Sequence, residues 1–290
     1  MRRARRARNR AEQAYDQAAG GAISNVNETI RWVRDELGRA RVGGLTCLVR
    51  CDDRLVIGYS TDDARARLGP VWHAARLIRC WERDRIIYRL DPTLVAELVA
   101  ADDNTVFRRD TLQRVPHRNP CLLFTRPIDA SHPDGGTVRY TTVFVAGQRI
   151  GPDGHPESCD VHDEATTHIG FALGGTRQRA GHDTAPVMST LTIEIAGDEV
   201  SIETMLANAD ATAGSAGTNN GRSAHLTPVL ATLVPTIRYL CGEQPDVRPM
   251  AIPDGASWRD RASAELAPGV LEIGWRVGAA LRERRDQPMR

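Results

Sequence analysis

An α+β fold, in which an antiparallel sheet of about five strands packs on helices, is what this sequence predicts. Three observations carry it. Apolar residues recur at helical spacing before Ala101, and β-rich runs succeed one another from Cys121 onward. The turn clusters Asp129 to Gly136 and Gly197-Asp198 divide those runs into neighbouring strands, with helices on one side. At 290 residues the chain has room for one main core with appendages.

Residues 1–20 read as a basic N-terminal arm, a polar helix with too few apolar residues to bury a face, stopped at Gly20-Gly21. A core domain is expected over 21–210. Ser24 or Asn25 caps its first helix, whose Val26, Ile30, Val33 and Leu37 fall on one face. Leu45 to Arg50 and Leu55 to Tyr59 then pair as a hairpin. Thr61 caps a short helix through Leu68, and Pro70 opens the next, through Arg83. After the β-rich Ile86-Ile87-Tyr88, Asp91-Pro92 is a cap followed by a first-turn proline, for a helix through Ala100.

Strands follow at Cys121 to Thr125, Thr137 to Ala146, His168 to Leu173 and Met188 to Ile195. Residues 211–224 are rich in Gly, Ser, Asn and Ala and read as a flexible linker. Beyond it, 225–290 form a C-terminal helical region packing on the core. Thr227-Pro228 opens the most apolar helix of the chain, kinked at Pro235, and Gly269 to Arg284 is the last helix.

All 38 basic side chains are arginine, so chemistries that need a lysine are excluded: the P-loop, the pyridoxal Schiff base and the protein-kinase ion pair. Six arginines (Arg2, Arg3, Arg5, Arg6, Arg8 and Arg10) crowd the first ten residues without an acid, while the other 280 residues carry an excess of five acids. Such a cluster suits phosphates of RNA or DNA, and equally suits an exposed helix start in an arginine-biased sequence. No apolar run approaches the ~20 residues of a membrane span, and no signal peptide follows the arginines. Six scattered cysteines read as reduced thiols, so a cytoplasmic chain without a membrane partner is expected.

The richest ligand cluster runs from Cys159 to His168. Cys159 and His162 have the spacing of two zinc ligands, with His168 as a third candidate, yet no second ligand pair completes the set. A solvated loop without metal is therefore expected, and no cofactor. Ala213-Gly214-Ser215-Ala216-Gly217 lacks the first glycine of a nucleophile elbow, and there is no His-Glu-x-x-His. With no catalytic constellation, the chain reads as a binding protein and not an enzyme. A metal-dependent hydrolase built on the Cys159 to His168 loop is a distant alternative.

One ordered series of strings goes further. It runs from Trp81 through Ile87-Tyr88-Arg89-Leu90-Asp91-Pro92, then Arg114-Val115-Pro116 before Cys121-Leu122-Leu123-Phe124. It continues with Arg238-Tyr239-Leu240-Cys241-Gly242-Glu243-Gln244-Pro245-Asp246, of which Tyr239 to Asp246 is the most specific piece, followed by Val277-Gly278 and Leu281-Arg282. Over about residues 72 to 283 this series resembles the second type V-A anti-CRISPR family and its plasmid and phage homologues. The resemblance implies a non-enzymatic binding protein of a mobile element that reduces production of a type V effector nuclease by recognising the effector as it is made. Its partner would be a protein, the CRISPR effector or its nascent chain. The family-motif positions are Trp81, Tyr88, Asp91, Pro92, Pro116, Tyr239, Cys241, Glu243, Pro245 and Asp246. The sequence departs from the family in lacking the usual basic His/Trp-rich tail after the last helix. That puts any nucleic-acid or ribosome contact of the tail in doubt, or moves it to the arginine arm. The alternative reading is a nucleic-acid-binding accessory protein of a plasmid or phage, acting through that arm.

Overall fold

The computed structural model describes residues 21–44, 46–51, 54–59, 61–101, 106–108, 113–131, 136–150, 156–159, 161–162, 166–178, 184–195, 199–201, 204, 226–250 and 269–286. The arginine arm and the 211–224 linker lie outside them. Helix α1 (Ala22–Val42) starts after Gly21, which adopts φ 75°, and not at a Ser24 or Asn25 cap; Val26, Ile30 and Val33 are buried as their spacing requires. Strands β1 (Thr46–Cys51) and β2 (Arg54–Tyr59) pair antiparallel as the expected hairpin.

Helix α2 (Asp62–Asp84) is continuous through Pro70, where two helices were expected. Thr61 Oγ1 accepts the Ala64 N–H at 3.1 Å, as its capping position predicts. An interior proline costs roughly 3 kcal/mol, and here Leu68, Val71, Ala74 and Leu77 carry one buried face across it. Strand β3 (Ile86–Leu90) leads through Asp91 into α3 (Pro92–Ala101). Then come β4 (Val106–Arg108), β5 (Cys121–Ser131), β6 (Thr137–Ile150), β7 (Pro156–Cys159), β8 (His168–Gln178), β9 (Ala185–Glu194) and β10 (Glu199–Ser201). Helix α4 (Thr227–Leu240), β11 (Val247–Pro249), β12 (Gly269–Ile273) and α5 (Trp275–Asp286) complete the described elements.

The main sheet has the order β11-β12-β3-β5-β6-β8-β9, and β7 pairs with β6 beyond the start of β5. It is mixed, which corrects the expected antiparallel meander of about five strands. β12 pairs parallel with β3, and β3 parallel with β5; the other neighbours are antiparallel. The parallel pair β3 and β5 is joined through α3, since parallel strands need a crossover. The end of the chain holds a second correction: Gly269 to Ile273 is not the start of the last helix but a strand inserted between β11 and β3.

Helices cover both faces of the sheet, not one. On one face Tyr88, Leu122, Val143, Phe171 and Ile193 pack against Leu94 of α3 and against Val229, Leu230, Leu233, Val234 and Ile237 of α4. On the other, Ile87, Cys121, Leu123, Phe144 and Ala172 pack against α1 and α2. A strand buried on both sides must be apolar at successive positions, and that is why Cys121 to Phe124 and Val143 to Ala146 read as unbroken apolar runs.

Candidate functional site

The neighbouring parallel strands β3 and β12 end together, with Leu90 opposite Ile273, and each runs directly into a helix. Unpaired N–H groups at such helix starts hold anionic ligands in many α/β proteins. Here the chain's own carboxylates stand at both. Asp91 Oδ1 accepts the N–H of Thr93 at 2.8 Å and of Leu94 at 3.1 Å, capping α3. Asp246 lies ahead of β11 and caps α5 from a distance in sequence. Its Oδ2 accepts the N–H of Arg276 at 2.6 Å and of Val277 at 3.2 Å, and its Oδ1 accepts Arg276 Nε at 2.9 Å.

Asp246 is 4% exposed. Burial pushes its pKa up, but the hydrogen bonds from the Arg276 side chain and from the Val277 and Arg276 N–H groups outweigh this and hold it below its ordinary 3.8. A carboxylate this well satisfied is a poor proton acceptor at neutral pH, so the geometry does not offer it as a general base.

The surrounding backbone locks the two helix starts together. The Asp246 N–H donates to Tyr239 Oη at 3.0 Å, its carbonyl accepts the Gly274 N–H at 2.7 Å, and the Asp91 N–H donates to the Ile273 carbonyl at 3.0 Å. Gly274 turns from β12 into α5 at φ 77°, where a Cβ would overlap Leu94; a Cβ on Gly278 would overlap the Asp91 carboxylate. Asp91, Pro92, Tyr239 and Asp246, separated by up to 155 positions, thus converge at one end of the sheet.

The other family-motif positions are spread through the fold, with Trp81 and Tyr88 in the cores on opposite faces of the sheet. Trp81 is buried, donates Nε1–H to the Ile86 carbonyl at 2.8 Å and meets Phe144 edge to face at 5.6 Å. Tyr88 is fully buried and its hydroxyl bonds to His117 Nδ1. Burial, and then Cys241, push the Tyr88 pKa up, so the phenol keeps its proton and donates. Burial lowers the His117 pKa, Asp84 opposes this and His162 adds to it, leaving a neutral acceptor. Cys241 is buried at the end of α4, whereas Pro116 and Glu243 are exposed and Pro245 is half-buried.

The metal candidates do not converge. Cys159 pairs with Gly147 on one side of β6 and His168 with Gln148 on the other, so their register positions belong to opposite faces of the sheet. His162 donates Nε2–H to the Val115 carbonyl at 2.6 Å, which docks it on the 115–118 segment, and His168 Nδ1 bonds to Thr167 Oγ1 at 2.8 Å. Among the described residues no three His, Cys, Asp or Glu side chains gather as metal ligands. No described helix is long and apolar enough to cross a membrane.

Residues with no signal in the sequence complete the outer edge. Glu272 of β12 is held between Arg89 at 2.9 Å and Arg248 at 2.6 Å, and the Arg248 guanidinium stacks 3.8 Å from the centre of the Trp275 ring. Arg276, Arg248 and Glu272 were not legible as partners, because each bond spans 24 to 183 positions and no local spacing announces it.

A family model described as AcrVA2-like, the anti-CRISPR type V subtype A2 family, matches residues 88–290. Among solved structures the chain is similar to one titled crystal structure of AcrVA2, at 12% sequence identity and a TM-score of 0.47, covering 94% of this chain and 86% of that one. No curated protein sequence matches.

Proposed function

Because the chain belongs to the anti-CRISPR type V subtype A2 family, we propose that it is a binding protein that lowers production of a type V effector nuclease by recognising the effector as it is made. The observation that carries this reading is the family match, which takes in every motif position from Tyr88 to Asp246. The site chemistry supports the non-catalytic part. Its two carboxylates are engaged in capping helices, its Tyr239 hydroxyl accepts a backbone N–H, and Tyr88 elsewhere in the core is a buried, protonated donor, so these motif residues serve to hold a scaffold.

Expression in cells tests it. A type V-A effector is produced with and without this chain, and effector protein and guided interference are followed together. The reading expects effector abundance and interference to fall in parallel, and purified effector already loaded with guide RNA to cut normally when the chain is added. Stoichiometric inhibition of that preformed complex, with effector abundance unchanged, would replace this reading with direct blockade of the nuclease.

A further inference from the structure

We infer that the outward face of α2 is a binding surface for single-stranded nucleic acid, formed by Trp72, Arg76, Arg79 and Arg83. These residues fall at i, i+4, i+7 and i+11, within an arc of about 60° at 3.6 residues per turn. The arc stands opposite Ala74, Leu77, Ile78 and Trp81, which pack into the core beneath. Arg79 and Arg83 are exposed and Arg76 is half-buried.

Arg76 and Arg79 have no carboxylate partner among the described residues. The acids on the same half of α2 are engaged elsewhere: Glu82 pairs with Arg34 at 2.6 Å, and Asp84 accepts the Asn119 N–H at 3.1 Å. Burial lowers the pKa of neighbouring His73 to about 4, and the Arg76 charge acts in the same direction.

Trp72 decides the class of partner. It is half-buried and belongs to neither of the two large hydrophobic cores, and on the helical wheel it falls within the arc of the three arginines. An acidic peptide could satisfy the arginines but has no flat group to offer the indole at each step. A single strand has both: phosphates for the guanidinium forks and an unpaired base for the ring. The stripe is about 16 Å long, room for roughly five nucleotides at ~3.4 Å each. It also lies outside residues 88–290, so it does not depend on the family reading.

Fluorescence anisotropy with the full-length chain tests this, using labelled twelve-nucleotide single strands of RNA and of DNA, the matching duplex, and a polyglutamate peptide. Single strands should bind best, with affinity falling as salt rises. The double variant Arg76→Gln/Arg79→Gln should flatten the log–log salt slope by about 1.4, two contacts at ~0.7 each. Trp72→Ala should weaken binding roughly tenfold with the slope unchanged. Arg79→Lys, which keeps the charge, should retain the slope. Melting temperatures should hold in the arginine variants, whose side chains belong to neither large core. An unchanged slope in the double variant overturns the inference, as does tighter binding of the duplex. Equal binding of polyglutamate would make the partner an acidic protein instead, and Trp72→Ala lowering the melting temperature without weakening binding would make the ring a packing element.

Discussion

Replacing Asp246 probes the junction most directly. Asp246→Ala deletes an N-terminal cap, worth ~0.5 to 2 kcal/mol, together with charge-assisted bonds of ~1.5 to 3 kcal/mol. These overlap, because two of the three donors are the capped N–H groups themselves. The third donor sits on Arg276, whose side chain is 69% exposed and rehydrates when released, so it adds little. A loss of ~2 to 3 kcal/mol is expected, or about 4 to 10 °C in melting temperature for a chain of this size. Asp246→Asn keeps an oxygen for the two backbone donors and should lose only about half as much. Urea unfolding followed by circular dichroism reads both. The pH dependence adds a sign. With its folded pKa below 3.8, Asp246 contributes stability that is complete above that value and is lost as pH falls through the lower, folded one. The gap between wild type and Asp246→Asn should therefore narrow below about pH 4. Equal urea midpoints at pH 7, or a gap that widens on acidification, would refute the capping account.

His73 should act in a higher pH window. Its folded pKa of about 4 lies under the ordinary 6.5, so the folded state binds fewer protons between the two and stability declines as pH falls from 6.5 to 4. At ~1.4 kcal/mol per pH unit the loss is at most ~3 kcal/mol, and His73→Gln, neutral throughout, should flatten that slope in a pH series of thermal melts. Leu233→Ala in the fully buried face of α4 should cost ~2 to 5 kcal/mol; a change under about half a kcal/mol in urea unfolding would place this helix outside the core. Gly278→Ala drives a methyl group into the Asp91 carboxylate and should cost ~1 to 3 kcal/mol by calorimetry. An unaltered melting temperature there would mean that α5 and α3 do not approach so closely.

Local signals in the sequence were read well where the physics is local. The Thr61 and Asp91 caps, the β1–β2 hairpin and the buried face of α4 each depend on residues within a few positions of one another, and each appears where its spacing places it. Pairing between distant strands has no such signature. Gly269-Val270-Leu271-Glu272-Ile273 carries few turn signals and is followed at once by a helical run, so it merged with that helix in the sequence. Only its parallel register with Ile86 to Leu90 makes it a strand. The same holds for the site: Pro245-Asp246 looks like a helix stop after α4, and its work as a cap for α5 becomes visible only when β11 carries it beside Arg276.

That arrangement gives Asp246, the last acid of the most specific string, a structural task as the cap of α5. The ends of parallel strands beside helix starts are where α/β proteins gather ligands, because unpaired N–H groups point there. In this chain Asp91 and Asp246 take the place a ligand's anion would have, and Gly274 and Gly278 let the two helices close over them. A junction filled by its own carboxylates cannot also receive a phosphate without breaking its caps. On the proposed binding function, recognition would then fall to surfaces that the scaffold presents and not to this crevice. Among the described residues, arginines gather on the outward side of α2 and along the β11 edge, where Arg248 lies over Trp275. At the edge, Glu272 already neutralises part of that charge. On α2 the charge of Arg76 and Arg79 is unopposed by any described carboxylate, so a polyanion should prefer α2 over the edge.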